Sequence, residues 1–294
     1  MKTIVTINFK GGVGKTTATW CLGETISKQP NKKVLMFDLD AQMSLTQAIT
    51  LNEDSGWLVD TFSSWYEKSI DHKKTIFHAL DQFTKPMSHF DFGVGYDFIY
   101  QISSTYHFVP SVEDLYWTEL EFFDREAVKE FIRRLLAKID NSPKMPQYDY
   151  VLFDCPPSFS LLSYSVLSCA DLVIIPINPD FFASKGLNLL LNSIRMRIEP
   201  FPVPKVGVLM NKAKPSTTPR IRKFSKETER YWDDAQTIAQ KVAEKENIKV
   251  KCFQEMIPDR VAIKRAIQEG IPKELEEPFL KLWKEVEEFV NEPK

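Results

Sequence analysis

The chain has 294 residues, 43% of them hydrophobic and 27% charged, with a formal net charge of −2. That length and apolar content suit one large α/β domain or two small ones around a packed core, and the small net charge confines any surface for a polyanion to a local patch. Four scattered cysteines, Cys21, Cys155, Cys169 and Cys252, form no CxxC pair, which argues against a disulfide framework or a cysteine zinc site.

The start, "MKTIVTINF", has no signal-peptide core, and no run of about 18 apolar residues follows anywhere. A cytoplasmic chain with no membrane span is therefore expected. "TIVTINF" (3–9) reads as a buried strand, followed by "KGGVGKTT" (10–17) and a helix to about residue 28. Glycines between a strand and a helix let backbone N–H groups turn around phosphate oxygens, and the helix offers its positive N-terminus. Gly11, Gly12, Val13, Gly14, Lys15, Thr16 and Thr17 are the candidate nucleotide cradle. Lys15 is expected at the β- and γ-phosphates and the Thr16 hydroxyl at Mg²⁺. The strict pattern G-x-x-x-x-G-K-[ST] is not met, because its first glycine falls on Phe9.

A second buried strand, "KVLMFDLD" (33–40), brings Asp38 and Asp40, two apart, to one side of a strand end. Residues 53 to about 115 are rich in aromatics without a clean period. They read as a helical, aromatic insertion packed on the sheet domain, or as an exposed surface for a partner. Residues 124–139 form an amphipathic helix with apolar positions 128, 131, 132, 135, 136 and 139. "YDYVLFD" (148–154) is a strand ending in Asp154, a carboxylate placed to reach Mg²⁺ through water. Helices are expected at 159–170, 181–197 and 218–244, with strands at 171–178 and 205–211 between them. Buried strands alternating with helices imply a mostly parallel, twisted sheet with helices on both faces.

"VLMNKAK" (208–214) has Lys214 where a guanine reader has aspartate, so Asn211 is expected to pair with adenine and ATP is favoured over GTP. From Lys205 to Arg230 there are eight basic side chains against two acidic ones. Arg220, Arg222, Lys223 and Lys226 are candidate contacts for non-specific DNA; an ordinary solvated helix start is the other reading, and Lys264 and Arg265 are candidate extensions. The segment 277–290 is amphipathic with an acidic polar face, which suits docking on the chain's own core or dimer better than anionic lipid.

"KGGVGKTT", "DLDAQ" (38–42), "DCPPS" (154–158) and "IPDR" (257–260) together resemble the ParA/MinD superfamily of deviant Walker A ATPases, in its ParA-type partition branch. The resemblance covers residues 1–50 and 145–275 and implies a single P-loop domain over 1–294, ATP and Mg²⁺ as cofactors, and ATP hydrolysis. It further implies that Lys10 reaches the phosphates of a second copy in an ATP-state homodimer. Asp40 would orient the attacking water, Asp38 would join the Mg²⁺ shell, and Pro258 would lie near adenine. Partners implied are non-specific DNA of the nucleoid and a cargo adaptor of ParB type. Two departures stand out: Ala41 replaces the family's proline, and Asp259-Arg260 replaces its Arg-Asn, which weakens any DNA role for the following helix. A MinD-like membrane switch, a metabolic ligase of related fold and an iron–sulfur reductase are the rival readings; the last needs cysteines that Cys155 and Cys169 do not supply.

Overall fold

A computed structural model describes residues 1–50, 74–84, 96–117, 125–181, 183–217, 223–259 and 273–293. The first elements are β1 (Lys2–Thr6), α1 (Lys15–Ser27), β2 (Val34–Asp38), α2 (Ser44–Thr50) and α3 (Ile76–Thr84). Next come β3 (Tyr100–Gln101), β4 (Tyr106–Val109), a 3₁₀ turn at Glu113–Trp117, α4 (Arg125–Asp140), β5 (Tyr150–Asp154) and α5 (Leu161–Leu167). The chain continues through β6 (Leu172–Ile177), α6 (Ala183–Arg197), β7 (Lys205–Met210), α7 (Lys226–Glu246), β8 (Val250–Cys252) and α8 (Lys273–Asn291).

One eight-stranded sheet has the order β3-β4-β2-β5-β1-β6-β7-β8. Every neighbouring pair is parallel except β3 with β4. Strand residues alternate between two cores. Val5, Phe37, Val151, Phe153 and Val173 face a layer of α3, α4, α5, α6 and α7. Ile4, Met36, Leu152 and Ile174 face α1, α2 and α8. Both faces are covered, which is why β1, β2, β5, β6 and β7 read as nearly continuous apolar runs.

The predicted insertion is shorter at its C-terminal end than expected. Tyr106–Val109 is a buried strand of the main sheet, in parallel register with Val34–Phe37. Its aromatics, with no period of their own, fill both faces of a sheet strand. Residues 53–73 and 85–95 lie outside the described residues. The helix expected at 218–244 runs from Lys226, because Ser225 caps it: the Ser225 side chain accepts from the Thr228 N–H at 3.2 Å.

α8 docks on the core with Leu275, Phe279, Leu282, Trp283, Val286, Phe289 and Val290 buried, so its apolar stripe is already covered. Among the described residues no helix is long and apolar enough to cross a membrane. Lys205, counted in the basic stretch, is buried and caps α8 instead. Its ammonium donates to the carbonyls of Phe289 (2.8 Å), Val290 (3.2 Å) and Glu292 (2.5 Å), a cation at the negative end of a helix. Trp283 stacks edge-on against Tyr150, with ring centroids 4.8 Å apart. Trp283→Ala is expected to cost about 3–5 kcal/mol of stability, read as a lowered midpoint in urea; a loss under about 1 kcal/mol would show that α8 contributes little to the fold.

Candidate functional site: a glycine loop and two carboxylate strands

The site gathers at the carboxyl ends of the parallel strands, where open α/β sheets bind ligands. β1 stops at Thr6 and the chain turns. Asn8, a residue without a signal in the sequence, anchors the turn: its amide donates to the Pro176 carbonyl at 2.8 Å and its Oδ1 accepts from the Lys10 N–H at 2.9 Å. Gly12 and Gly14 adopt φ of 70° and 85°, a region that favours glycine. A Cβ on Gly14 would also sit 2.0 Å from Asn211 Nδ2. Gly14 starts α1 without a side-chain cap, so the N–H groups of the first turn remain available to an anion. Lys15, the first residue of α1, is only 8% exposed.

Asn211, expected at adenine, donates its amide to the Val13 carbonyl of the loop at 2.8 Å, and its Oδ1 accepts from the Lys212 N–H at 2.9 Å. Lys212 follows with its ammonium 2.6 Å from the Gly12 carbonyl. The end of β7 thus shapes the cradle from behind. Pro258 lies beside the same strand end, bridged to Ala213.

Asp38 and Asp154 are register partners on β2 and β5, and both are buried. The Thr16 hydroxyl donates to Asp154 Oδ2 at 2.6 Å. Asp154 Oδ1 is buried without a hydrogen-bond partner. Desolvation drives the Asp154 pKa far up, the Asp38 charge adds to it, and the Thr16 hydroxyl and the Lys15 ammonium oppose it. A buried, half-satisfied carboxylate next to a hydroxyl is a fit for a hard divalent cation such as Mg²⁺. When bound there, Mg²⁺ would neutralise phosphate charge.

Asp38, the third predicted metal residue, is committed to the loop after β2. Its Oδ1 accepts from the Asp40 N–H (3.0 Å), and its Oδ2 accepts from both the Thr46 N–H and the Thr46 hydroxyl (2.8 Å each). Desolvation raises its pKa as well, against those hydrogen bonds. Asp40 Oδ1 accepts from the Gln42 N–H at 2.9 Å. Asp40, Gln42 and Pro157 line both a cavity of about 350 Å³ over the glycine loop and one of about 530 Å³ between residues 39–42 and 156–160. The second cavity ends at Phe159, whose ring meets Phe9 edge-on with centroids 6.3 Å apart. Phe9 stands where the strict loop pattern has glycine, and it ties the loop to the segment after Asp154.

Lys10 is 43% exposed in its side chain and forms an ion pair with Asp180 at 2.5 Å. The basic stretch is less free than its composition implied. Lys205 and Lys212 are engaged as described, Lys214 pairs with Glu227 at 3.1 Å, and Lys223 pairs with Glu255 at 3.1 Å. Lys226 and Arg230 are exposed on α7. Arg220, Arg222, Lys264 and Arg265 lie outside the described residues. Among the described residues no group of three His, Cys, Asp or Glu side chains could hold a metal, and burial pushes the Cys155 thiol far up.

A family model described as "AAA domain" matches residues 1–200. The chain is 27% identical over 194 residues to the chromosome-partitioning ATPase Soj of Treponema pallidum, covering 66% of this chain and 64% of that one. It belongs to the ParA/MinD superfamily, as a ParA-type protein. An uncharacterised protein of Mycobacterium tuberculosis, Rv1708, is 31% identical over 235 residues, 79% of this chain and 64% of that one. The chain thus spans about 64% of the length of these two relatives. Two solved structures share the fold. An ATP complex of McdA from Cyanothece has a TM-score of 0.71 at 21% identity, covering 100% and 98% of the two chains. pNOB8 ParA bound to nonspecific DNA has a TM-score of 0.65 at 22% identity, covering 100% and 99%.

Proposed function

We propose that this ParA-type chain hydrolyses ATP with Mg²⁺ and uses the nucleotide to control its own pairing. The observation that carries the reading is the buried Asp154 carboxylate with one unpartnered oxygen, beside Thr16 and the uncapped start of α1. Those groups complement a metal-bound triphosphate. Lys15 would take the β- and γ-phosphates, and Gly11–Thr17 backbone N–H groups the remaining oxygens. Asp40, at the mouth of the loop cavity, would orient water for attack on the γ-phosphorus.

Lys10 supports a second-copy role. Within one chain its ammonium is at Asp180, on the segment after β6, and its side chain is partly exposed. At the rim of the cradle its ammonium is suited to complete the phosphate site of a twin chain and to stabilise developing γ-phosphate charge. The resulting dimer would bind DNA non-specifically through basic residues of α7 and of the sequence before it, in line with the likeness to the DNA-bound ParA. A cargo adaptor of ParB type would stimulate hydrolysis and release. The chain would then position a plasmid, a chromosome region or a protein assembly on the nucleoid, as a single P-loop domain.

Light scattering with Mg²⁺ and ATP, ADP or no nucleotide tests this. A dimer is expected with ATP alone, with DNA retained in gel shifts only in that state. Lys10→Ala should keep nucleotide affinity and lose the dimer. The same oligomer in all three states overturns the reading, and a persistent Lys10→Ala dimer removes the second-copy role.

A further inference from the structure

We propose that Ser111 is a positioning residue for Asp40, and that the segment 110–117 behind β4 sets the rate of hydrolysis; the inference rests on the role given to Asp40 above. Ser111 follows β4, the strand next to β2 in the sheet, so the two strand ends are neighbours. It is fully buried. Its hydroxyl donates to the Asp40 carbonyl at 2.7 Å, across 71 residues of sequence. Its N–H donates to the Thr46 hydroxyl oxygen at 3.0 Å. That hydroxyl donates onward to Asp38 Oδ2, and Asp38 Oδ1 accepts the Asp40 N–H.

The circuit pins Asp40 at both of its peptide groups. Its N–H is fixed by Asp38 and its C=O by Ser111. Gln42, whose N–H orients the Asp40 carboxylate, is itself tied by its side-chain amide to the Tyr116 hydroxyl. Within residues 39–43, Ala41 sits where proline would fix the backbone, while the Leu39 N–H donates to the Asp154 carbonyl at 2.9 Å and the Met43 N–H to the Asp40 carbonyl at 2.8 Å. The neighbouring strand end therefore adds the long-range part of the restraint on the water-orienting carboxylate, through Ser111 and Tyr116.

Removing the Ser111 hydroxyl does not strand a buried acceptor, because the Asp40 carbonyl also accepts from the Met43 N–H at 2.8 Å. Folding and nucleotide binding should survive while the carboxylate gains freedom, and a small misplacement of a reacting group is costly in rate. Single-turnover hydrolysis of ATP with Mg²⁺ is measured for the parent, Ser111→Ala, Asp40→Ala and the double variant, together with ATP affinity and melting temperature. Ser111→Ala is expected to lower the rate by about tenfold or more with affinity and melting unchanged, and to add nothing in the Asp40→Ala background. A rate within about twofold of the parent, the same drop in both backgrounds, or a joint fall of rate, affinity and melting overturns it. A parent that hydrolyses no ATP, or an Asp40→Ala variant as fast as the parent, overturns the assignment of Asp40 and this inference with it.

Discussion

Lys15→Ala is expected to weaken ATP binding on the order of a hundredfold, since removing one partner of a desolvated, hydrogen-bonded charge pair costs about 2–5 kcal/mol. Lys15 is nearly buried at the head of α1, close enough to the buried Asp154 carboxylate for its charge to be felt there. Its alkyl stem fixes where the ammonium can go, and its charge lowers the pKa of Asp154. Without it, only backbone N–H groups and Mg²⁺ remain to offset the repulsion between the triphosphate and the buried carboxylates. Titration of a fluorescent ATP analogue in Mg²⁺ measures the effect. Affinity within about threefold of the parent would mean that the phosphates lie elsewhere. Because the loop geometry depends on Gly12, Gly14 and Asn211 rather than on Lys15, melting temperature should change little.

Asp40→Ala has the opposite signature: ATP still binds, and hydrolysis falls by about 10²–10⁴-fold, the range for losing a positioned proton acceptor. The Asp40 carboxylate makes one structural bond, from the Gln42 N–H, and the backbone bonds to Asp38 and Ser111 do not need its side chain. The fold of residues 38–46 should therefore persist. If pairing follows the nucleotide, this variant accumulates as a long-lived ATP dimer. Phosphate release at the parent rate would show that Asp40 does not handle the water. Paired with Lys15→Ala, the variant separates binding from chemistry at one site.

Much of the site was legible because its chemistry is local. The strand, glycine loop and helix of residues 3–28 announce an anion cradle by composition and order alone, and Asp154 closes an unmistakably apolar strand. Other functional residues gave no signal. Asn8, Thr46, Ser111 and Lys212 are small or ordinary polar residues, and their partners are Pro176, Asp38, Asp40 and Gly12. The Asn211–Val13 and Lys212–Gly12 bonds span 198 and 200 residues, beyond any spacing rule. The pairings within the basic stretch were hidden for the same reason. Counting charge from Lys205 to Arg230 takes no account of the carbonyls of α8 or of Glu255, which engage Lys205 and Lys223 in three dimensions, nor of the Glu227 contact to Lys214.

The amino-acid order alone determined the layered α/β class and the phosphate loop, because continuous apolar strands and left-handed glycines are properties of short segments. Only the tertiary structure decided that Tyr106–Val109 is a sheet strand, that Asn211 shapes the loop, and that Asp154 keeps one oxygen without a partner. Those outcomes depend on which strand ends become neighbours in the sheet, and that is fixed by packing two cores at once rather than by any local run of residues.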